Sequence, residues 1–335
     1  MPSILTHQYF ANLILEDMKK MLPFLANQTS LVWLGSQGPD PFFFFGHAIF
    51  KKRLSTTTIN QFGSTLHNQL PVDSLWPLLE HGWFGAKADE VSKAYVIGAL
   101  THYALDRTCH PYVFYRTGFD EHGSLTGHYS ADHARLEVEM DVAIVEKFKL
   151  DPKVYQPKET LNVSKVSLQT ISQLYMYAFP KQLQHDTYQL AVDDMQATYR
   201  FLYHGSILNR LLVVLVSGLR SLPLSLIHPL RLSSTVKERS LNVSRKFWKD
   251  PVTGKTSQAT MLQLIEDARD YLRPILKLLA QGKLTKTLLK DWTDAIDYDG
   301  KTVGKTMKYF ASYYSAYKGK PNHDNIRIQS SKKSV

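Results

Sequence analysis

The sequence predicts an all-α protein, and two features of its residue pattern support this. Apolar residues recur at helical spacing along most of the 335-residue chain, which is the pattern of helices that bury one face. No segment alternates apolar and polar residues over the length of an ordinary strand, and no internal repeat is visible. We therefore expect a multi-helix domain followed by a helical C-terminal extension.

The expected helices follow one another along the chain. The first covers residues 7–22, carries apolar residues on one face and ends near Pro23. Further helices are expected at residues 91–109, 133–148, 163–179, 186–202, 257–281 and 302–316. We expect a Gly-rich loop at residues 117–127 and another loop, with the turn-forming pair Asp250-Pro251, at residues 242–255.

Length and composition limit the class of protein. With 44% hydrophobic residues, the chain is not a disordered protein and can bury a substantial core. We expect a core at residues 1–150, a helical continuation of the same fold at residues 151–317, and a basic, disordered tail at residues 318–335. The formal charge of +10 favours anionic partners, whether lipid headgroups, nucleic acid or phosphorylated metabolites, without choosing among them.

The sequence favours a cytoplasmic protein. Cys109 is the only cysteine, so a reducing compartment is compatible, and its position favours a packed thiol over a nucleophile. The N-terminus lacks a basic region followed by an apolar one, so we expect no signal peptide. Residues 211–230 are apolar, but Arg220, Pro223 and His228 interrupt them. We therefore expect a buried helix and no membrane span, with a surface-seeking amphipathic segment as the alternative.

Two runs of metal-type ligands are the most specific feature of the chain. They are His102-x-x-x-Asp106-x-x-x-His110 and His133-x-x-x-Glu137-x-x-x-Asp141. Steps of four residues advance only ~40° around a helix, so each run projects its imidazoles and carboxylates from one stripe. For any one of these residues alone, a satisfied core or surface group is the better interpretation. Two aligned runs in an apolar stretch instead favour a metal, and these ligands suit zinc.

Two weaker features complete the set of candidate ligands. Asp40 lies in a short loop, residues 34–41, where it would present a carboxylate, although an aspartate beside proline is also common in ordinary turns. His67 follows the sequence Phe-Gly-Ser-Thr-Leu, and His47 is a competitor that lies nearer to Asp40 along the chain.

Taken together, these residues resemble the zinc-dependent phospholipase C family. Its all-helical fold is similar to that of fungal zinc single-strand nucleases and of the catalytic domain of glycosylphosphatidylinositol-specific phospholipase D. The resemblance covers roughly residues 2–141. It lies in the motif order: an early His, a loop Asp, a His, then His-x-x-x-Asp, a further His, and His-x-x-x-Glu.

The resemblance implies a site for three zinc ions. The first zinc would be held by Asp40, His67, His102 and Asp106, and the second by His110, His133 and Glu137. The third would be held by His7, by Asp106 as a bridge, and by the terminal amine and carbonyl of the chain. The family's second ligand lies in a context similar to Thr65-Leu66-His67, which favours His67 over His47. Removal of Met1 would leave Pro2 as the terminal ligand, five positions before His7.

The implied function is that of a zinc-dependent phosphodiesterase of phospholipase C type. Water activated by zinc would attack a phosphodiester, most simply that of a phospholipid headgroup, and Asp40 would orient or deprotonate this water. Asp132 and Asp141 are candidates for holding the imidazoles in place, or are simply solvated helix charges. The alternatives are a zinc-dependent single-strand nuclease and a metal-binding protein without turnover.

The residues Phe42 to Phe45 precede the basic triplet Lys51-Lys52-Arg53. One interpretation is an apolar lip that dips into lipid beside anionic headgroups, which would make the protein a peripheral membrane-surface binder. The other is an aromatic run in the core followed by an exposed basic turn. A nuclease could use the same aromatics and cations to bind bases and backbone phosphates.

Overall fold

The computed structural model describes residues 4–46, 57–117, 129–203, 227–229 and 231–310, and within these ranges the protein is mostly helical. Thirteen α-helices and one two-stranded sheet are present in the described residues, which confirms the all-α prediction.

The helices and strands have the following bounds, from the N-terminus onward. They are α1 Ile4–Met18, a 3₁₀ helix Pro23–Asn27, α2 Thr29–Gly35, α3 Pro41–Phe44, α4 Thr57–Asn68, α5 Pro71–Gly82, α6 Glu90–Arg116, α7 Tyr129–Phe148, α8 Pro157–Thr160, α9 Lys165–Ala178, α10 Thr187–Leu202, α11 Ser234–Leu241, β1 Trp248–Lys249, β2 Thr256–Ser257, α12 Met261–Ala280 and α13 Lys286–Thr293.

Helix α6 is the centre of the fold. Its N-terminus is fixed by a capping box, in which the Asp89 carboxylate accepts from the Ser92 amide and the Ser92 hydroxyl accepts from the Asp89 amide. Residues from Ala94 to Asp106 are buried without interruption. Helices α1, α2, α5, α7, α9 and α12 all pack against it. Because it is enclosed by neighbours, α6 can hold charged groups only if they are compensated.

Helices α2 and α6 approach each other backbone to backbone. A Cβ atom on Gly35 would lie 2.3 Å from the carbonyl oxygen of Tyr95, and one on Gly98 would lie 2.4 Å from that of Val32. Only glycine allows such a contact. This close packing brings Ser36, the residue after Gly35, beside the next turn of α6. That turn carries the candidate ligand His102.

Six of the predicted helices, those at residues 7–22, 91–109, 133–148, 163–179, 186–202 and 257–281, are confirmed with shifted ends. The second continues to Arg116, beyond its predicted end at residue 109, and the one predicted at residues 257–281 begins only at Met261. The pattern missed helices α2 to α5, α8, α11 and α13, most of which are too short for a clear helical period. The loop predicted at residues 242–255 has its turns, but it also contains β1, which pairs with β2.

The helix predicted at residues 302–316 is wrong for residues 302–310, which form an isolated bridge, a turn and irregular chain. Thr302 makes an isolated bridge with Ile296, and Gly304 has φ +82°. The amides of Lys308 and Tyr309 both donate to the Pro251 carbonyl. These backbone groups therefore find partners in other parts of the fold instead of in a helix.

Three sequence predictions fall outside the described residues, wholly or in large part. They concern the Gly-rich loop after Thr117, most of the apolar stretch at residues 211–230, and the tail at residues 318–335. Within the described ranges, no helix combines the length and the apolar character needed to cross a bilayer.

Candidate metal centre

Five elements of the fold bring the described candidate ligands together. Helix α6 carries His102, Asp106 and His110, helix α7 carries His133 and Glu137, and α1 carries His7. Asp40 immediately precedes α3, and His67 lies in the last turn of α4. Each of these side chains is buried, with no more than 8% of its surface exposed. Burial of so many ionisable groups in one place requires mutual compensation or a cation.

The ligand atoms form three clusters, and within each cluster all lie within 4.8 Å of one another. The clusters are Asp40, His67 and His102; His7, His102 and Asp106; and His110, His133 and Glu137. Their donors are imidazole nitrogens and carboxylate oxygens, which is the chemistry of zinc sites. The three clusters are therefore compatible with zinc.

Backbone carbonyls hold three of the imidazoles from behind. The Nδ1 atom of His67 lies 2.8 Å from the Gly63 carbonyl, and that of His102 lies 3.0 Å from the Ser36 carbonyl. The Nδ1 atom of His110 lies 2.7 Å from the Tyr298 carbonyl. A carbonyl can only accept, so Nδ1 carries the proton, and in a neutral ring Nε2 keeps a lone pair for a metal.

These Nε2 atoms face carboxylate oxygens. The Nε2 atom of His67 lies 3.1 Å from Asp40 Oδ1, and that of His102 lies 3.1 Å from Asp106 Oδ2. The Nε2 atoms of His110 and His133 approach the same oxygen, Glu137 Oε1, at 3.2 and 3.0 Å. A tetrahedral zinc ion with bonds of about 2.0 Å separates its ligands by roughly 3.3 Å.

In a neutral ring, the Nε2 lone pair faces a lone pair of the carboxylate oxygen. The two repel each other unless a positive charge lies between them. Without a metal, a proton on the imidazole must supply this positive charge, and the raised pKa values of His67 and His110 agree with that. Burial lowers the pKa of His67, but hydrogen bonding and attraction to Asp40 outweigh it and raise the value. Burial also lowers the pKa of His110, but Asp106 and Glu137 raise it to about 10. A zinc ion bound by the same atoms takes the place of these protons, so the residues fit the metal.

Asp106 lies at the centre of the site. Its Oδ1 atom is 3.0 Å from His7 Nε2 and 3.8 Å from His110 Nε2, while Oδ2 faces His102. Burial raises the pKa of this carboxyl, but His102, His110 and His7 together hold it well below its usual range. A cavity of about 20 Å³ is lined by His7, Asp106, His110 and Glu137 among others, which is the size of one water or ion.

The turn before Asp40 fits tightly against the site. Gly38 has φ +51°, and a Cβ atom there would lie 2.2 Å from the Cδ2 atom of the His102 ring. Behind this turn, the hydroxyl of Tyr95 lies 2.9 Å from that of Tyr175 and 2.8 Å from that of Tyr188. The buried tyrosines support the turn that presents Asp40 beside His102.

Asp141 anchors the start of helix α1. Its carboxylate accepts from the amides of Leu5 and Thr6 at 3.0 and 2.7 Å, and from the Thr6 hydroxyl at 2.8 Å. His228 Nε2 lies 3.1 Å from Oδ2, the oxygen that also accepts from the Leu5 amide. The carboxylate therefore fixes the helix end that carries His7, which is an indirect role. Asp132 is buried in the first turn of α7, and its role in orienting an imidazole stays a prediction.

A pocket of about 670 Å³ adjoins the clusters. Its lining includes Asp40, His67, Asp106, His110 and His133 from the site. Its wall includes apolar and polar side chains from five parts of the chain: Phe43, Ser64, Asn68, Phe114, Tyr129, Ser130, Asp299, Lys301, Lys305, Thr306 and Met307. The C-terminal segment of the described chain thus completes a site whose candidate ligands all precede residue 138.

The predicted apolar lip is wrong for two of its four phenylalanines. Phe42 and Phe44 are 0% and 3% exposed and pack in the core, so that part of the run is structural. Phe43 is partly buried, lines the pocket and lies with its ring 5.1 Å from that of His67. The alternation follows from α3, since a short helix turns successive side chains in different directions. The triplet at residues 51–53 lies outside the described residues.

Cys109 is a packed thiol, as predicted. It is 5% exposed, and burial raises the pKa of the thiol well above its usual value, so it is not a nucleophile. Two other candidate residues, Pro2 and the competitor His47, lie outside the described residues.

The comparison with known families agrees with this geometry. The family model described as zinc-dependent phospholipase C matches residues 6–189, which is more than half of the chain. The chain therefore belongs to the zinc-dependent phospholipase C family, and the predicted resemblance is confirmed. No curated protein and no solved structure matches the chain.

Proposed function

We propose that the protein is a zinc-dependent phosphodiesterase of phospholipase C type that acts on a phospholipid headgroup. The observation that carries this proposal is the convergence of three zinc-compatible clusters on one pocket, in a member of this family. Family membership supports a phosphodiester hydrolase. The phospholipid substrate and the roles of single residues are the parts that need testing.

We assign the ligands to three zinc ions. The first ion takes Asp40, His67, His102 and Asp106, and the second takes His110, His133 and Glu137. The third takes His7 and Asp106, together with the terminal amine and carbonyl of Pro2 after removal of Met1. The shared position of Asp106 between His7 and His102 supports its role as a bridge.

Bound zinc would lower the pKa of a coordinated water to about 7 and stabilise negative charge on a phosphoryl group. Asp40 is the proposed catalytic residue. It lines the pocket, and its Oδ2 atom makes no hydrogen bond within the described part of the chain. That oxygen is buried and has no hydrogen-bond partner there, so it would be able to accept from a water held at the metal site, orient it toward the phosphorus and take its proton.

The wall of the pocket suits a phosphodiester with an apolar part. Phe43, Phe114 and Met307 provide apolar surface, and Lys305 is exposed at the wall. Lys301 is less free, because it pairs with Asp297 at 2.9 Å and with Asp299. Lys305 is therefore the cation best placed to attract the phosphate of a substrate as it enters.

Hydrolysis assays on two substrate classes test the proposal. Phosphatidylcholine vesicles and single-stranded DNA or RNA are each incubated with the protein, with and without zinc. We expect zinc-dependent release of diacylglycerol from the vesicles. We also expect Asp106→Asn to lower this activity by at least ~100-fold, because it removes the charge shared between cations.

His185→Ala is the control for this variant. His185 is exposed and lies outside the three clusters, so its loss should leave the rate unchanged. An active Asp106→Asn together with an inactive His185→Ala would overturn the site assignment. Zinc-dependent cleavage of nucleic acid without vesicle hydrolysis would assign the protein to the nuclease alternative. If the protein binds zinc but cleaves neither substrate, it has no turnover of the proposed kind.

A further inference from the structure

A basic and partly apolar surface lies outside the metal site. We call residues 242–257, which contain both strands of the small sheet, the basic hairpin. Phe247 is 68% exposed and Val243 is 58% exposed, which is unusual for large apolar residues in this protein. Four basic residues of the same hairpin are also exposed: Arg245, Lys246, Lys249 and Lys255. Asp250 is its only acidic residue.

The exposed end of the hairpin is held firmly by its own contacts. The Asn242 side chain donates to the carbonyls of Lys246 and Ala259 and accepts from the Lys246 amide. The indole of Trp248 is 5% exposed and donates to the Ala259 carbonyl. Phe247, beside this buried anchor, is left facing solvent. The exposure is therefore a property of a fixed loop, in which two large apolar side chains, Val243 and Phe247, are held in solvent within one short segment.

The hairpin itself does not balance its positive charge. The Asp250 carboxylate accepts from the amides of Val252 and Thr253 and from the Thr253 hydroxyl, so it is used within its own turn. The hairpin thus carries four positively charged side chains and a single carboxylate, and that carboxylate accepts hydrogen bonds within its own turn. Apolar side chains ringed by lysine and arginine are the pattern of proteins that insert into the headgroup region of an anionic bilayer.

The hairpin packs against two segments that form the pocket wall. The Trp248 ring contacts the rings of Tyr112 and Tyr115, at 5.4 and 6.4 Å between centroids, on either side of the pocket residue Phe114. The second segment is the C-terminal one, which lines the pocket as far as Met307. The next residue, Lys308, contacts the hairpin, because its amide donates to the Pro251 carbonyl.

We propose that the basic hairpin docks the protein on a lipid bilayer that contains anionic lipids, with Phe247 and Val243 inserted among the headgroups. This inference rests on the proposed function, because docking is useful only if the substrate is a lipid. Docking at the hairpin would then bring the adjacent pocket to its substrate. It replaces the aromatic run before residue 46, whose inner members are buried, as the part of the chain that contacts lipid.

Vesicle sedimentation tests the docking surface. The full-length protein is mixed with vesicles of phosphatidylcholine alone and of phosphatidylcholine with about 30% phosphatidylglycerol, a composition matched to roughly physiological surface charge. We expect binding to the anionic vesicles that weakens at high salt. Phe247→Ser should weaken it at least ~5-fold, and the double variant Lys246→Glu, Lys249→Glu should abolish it.

Val166→Ser is the matched control. Val166 is 73% exposed on helix α9, so this variant removes exposed apolar surface away from the hairpin and should bind like the unchanged protein. Equal binding by Phe247→Ser and the unchanged protein overturns the proposal. So does equal weakening by Val166→Ser, or binding of single-stranded DNA with no binding of vesicles.

A second readout separates docking from catalysis. Hydrolysis of a soluble, short-chain phosphodiester should be the same in Phe247→Ser and the unchanged protein, and Asp106→Asn should still bind vesicles. Vesicle binding without any hydrolysis would support docking and contradict the proposed function. If Phe247→Ser hydrolyses vesicles at the same rate as the unchanged protein, the result would support the function and contradict docking.

Discussion

Single residues in this protein show how much a ligand depends on the atoms behind it. The Nδ1 atoms of His102 and His110 each lie against a carbonyl, that of Ser36 in the first case and that of Tyr298 in the second. These contacts set the tautomer and the direction of each ring. The Ser36 carbonyl comes from the loop that also carries Asp40, and the Tyr298 carbonyl comes from beyond the matched family region.

Gly38 is expected to be essential for the first cluster. Gly38→Ala would place a Cβ atom against the ring of His102 and would also strain a backbone at φ +51°. We expect a loss of zinc affinity of at least ~10-fold and a clear loss of activity.

Gly282→Ala separates these two effects. Gly282 has φ +66°, but nothing lies within 4 Å of its added Cβ atom, so this variant carries only the backbone strain of about 1 kcal/mol. Titration with zinc by calorimetry compares the two proteins. Equal zinc affinity of both variants would contradict the proposed fit between Gly38 and His102.

At the scale of helices, a salt bridge joins α1 to α12 near the C-terminal end of α1, whereas the candidate ligand His7 lies near its N-terminal end. Arg269 donates to Asp17 through two nitrogens, at 2.8 and 2.7 Å, and Arg273 donates at 3.4 Å. The hydrogen bond from Arg269 is the main cause that lowers the pKa of the Asp17 carboxyl, against a smaller effect of burial. The pair ties the C-terminal part of the fold to the helix that carries His7.

This ion pair predicts a pH-dependent stability. The pKa of Asp17 is lower in the folded than in the unfolded protein, so its contribution is full above the unfolded value of 3.8 and is lost as the pH falls through the folded value. Asp17→Asn should therefore lower the free energy of unfolding by about 0.5–1 kcal/mol at pH 7, and by progressively less below about pH 4.

Urea unfolding at several pH values, with chelator present so that zinc release does not contribute, measures this difference. Asp270→Asn is the control, because Asp270 pairs with Arg273 but is 71% exposed, and its loss should cost little at any pH. A difference between Asp17→Asn and the unchanged protein that grows toward low pH would have the wrong sign.

At the scale of the whole molecule, metal binding and folding are expected to be linked. The ligands come from α1, α4, α6 and α7 and from the turn before α3, so zinc joins elements that are distant in sequence. Because the ligands converge only in the folded chain, bound zinc must stabilise it.

Elemental analysis after dialysis should find more than two zinc ions per chain, and removal of zinc should lower the melting temperature reversibly. A permanent N-terminal tag should reduce the zinc content by one ion, since it blocks the terminal amine, while a C-terminal tag should have no effect. Fully metallated, active protein that retains Met1 would rule out terminal ligation by Pro2. The division into a core, a helical continuation and a tail stays a prediction.

The sequence by itself determined the class of fold, the family and the set of candidate ligands. Helical spacing is a local property, so the steps of four between His102, Asp106 and His110 are enough to place these residues on one stripe. The same holds for the pair His133 and Glu137. The order of these motifs along the chain was enough to indicate the zinc-dependent phospholipase C family, which the family match confirms.

Only the tertiary structure decided which groups surround those ligands. The carbonyls behind His102 and His110, the burial of Phe42 and Phe44, and the non-helical path of residues 302–310 all depend on contacts between residues far apart in sequence. Residue patterns record which side chains are apolar or can bind a metal. They do not record where a backbone carbonyl finds its partner, because every residue carries the same backbone groups and packing alone selects among them.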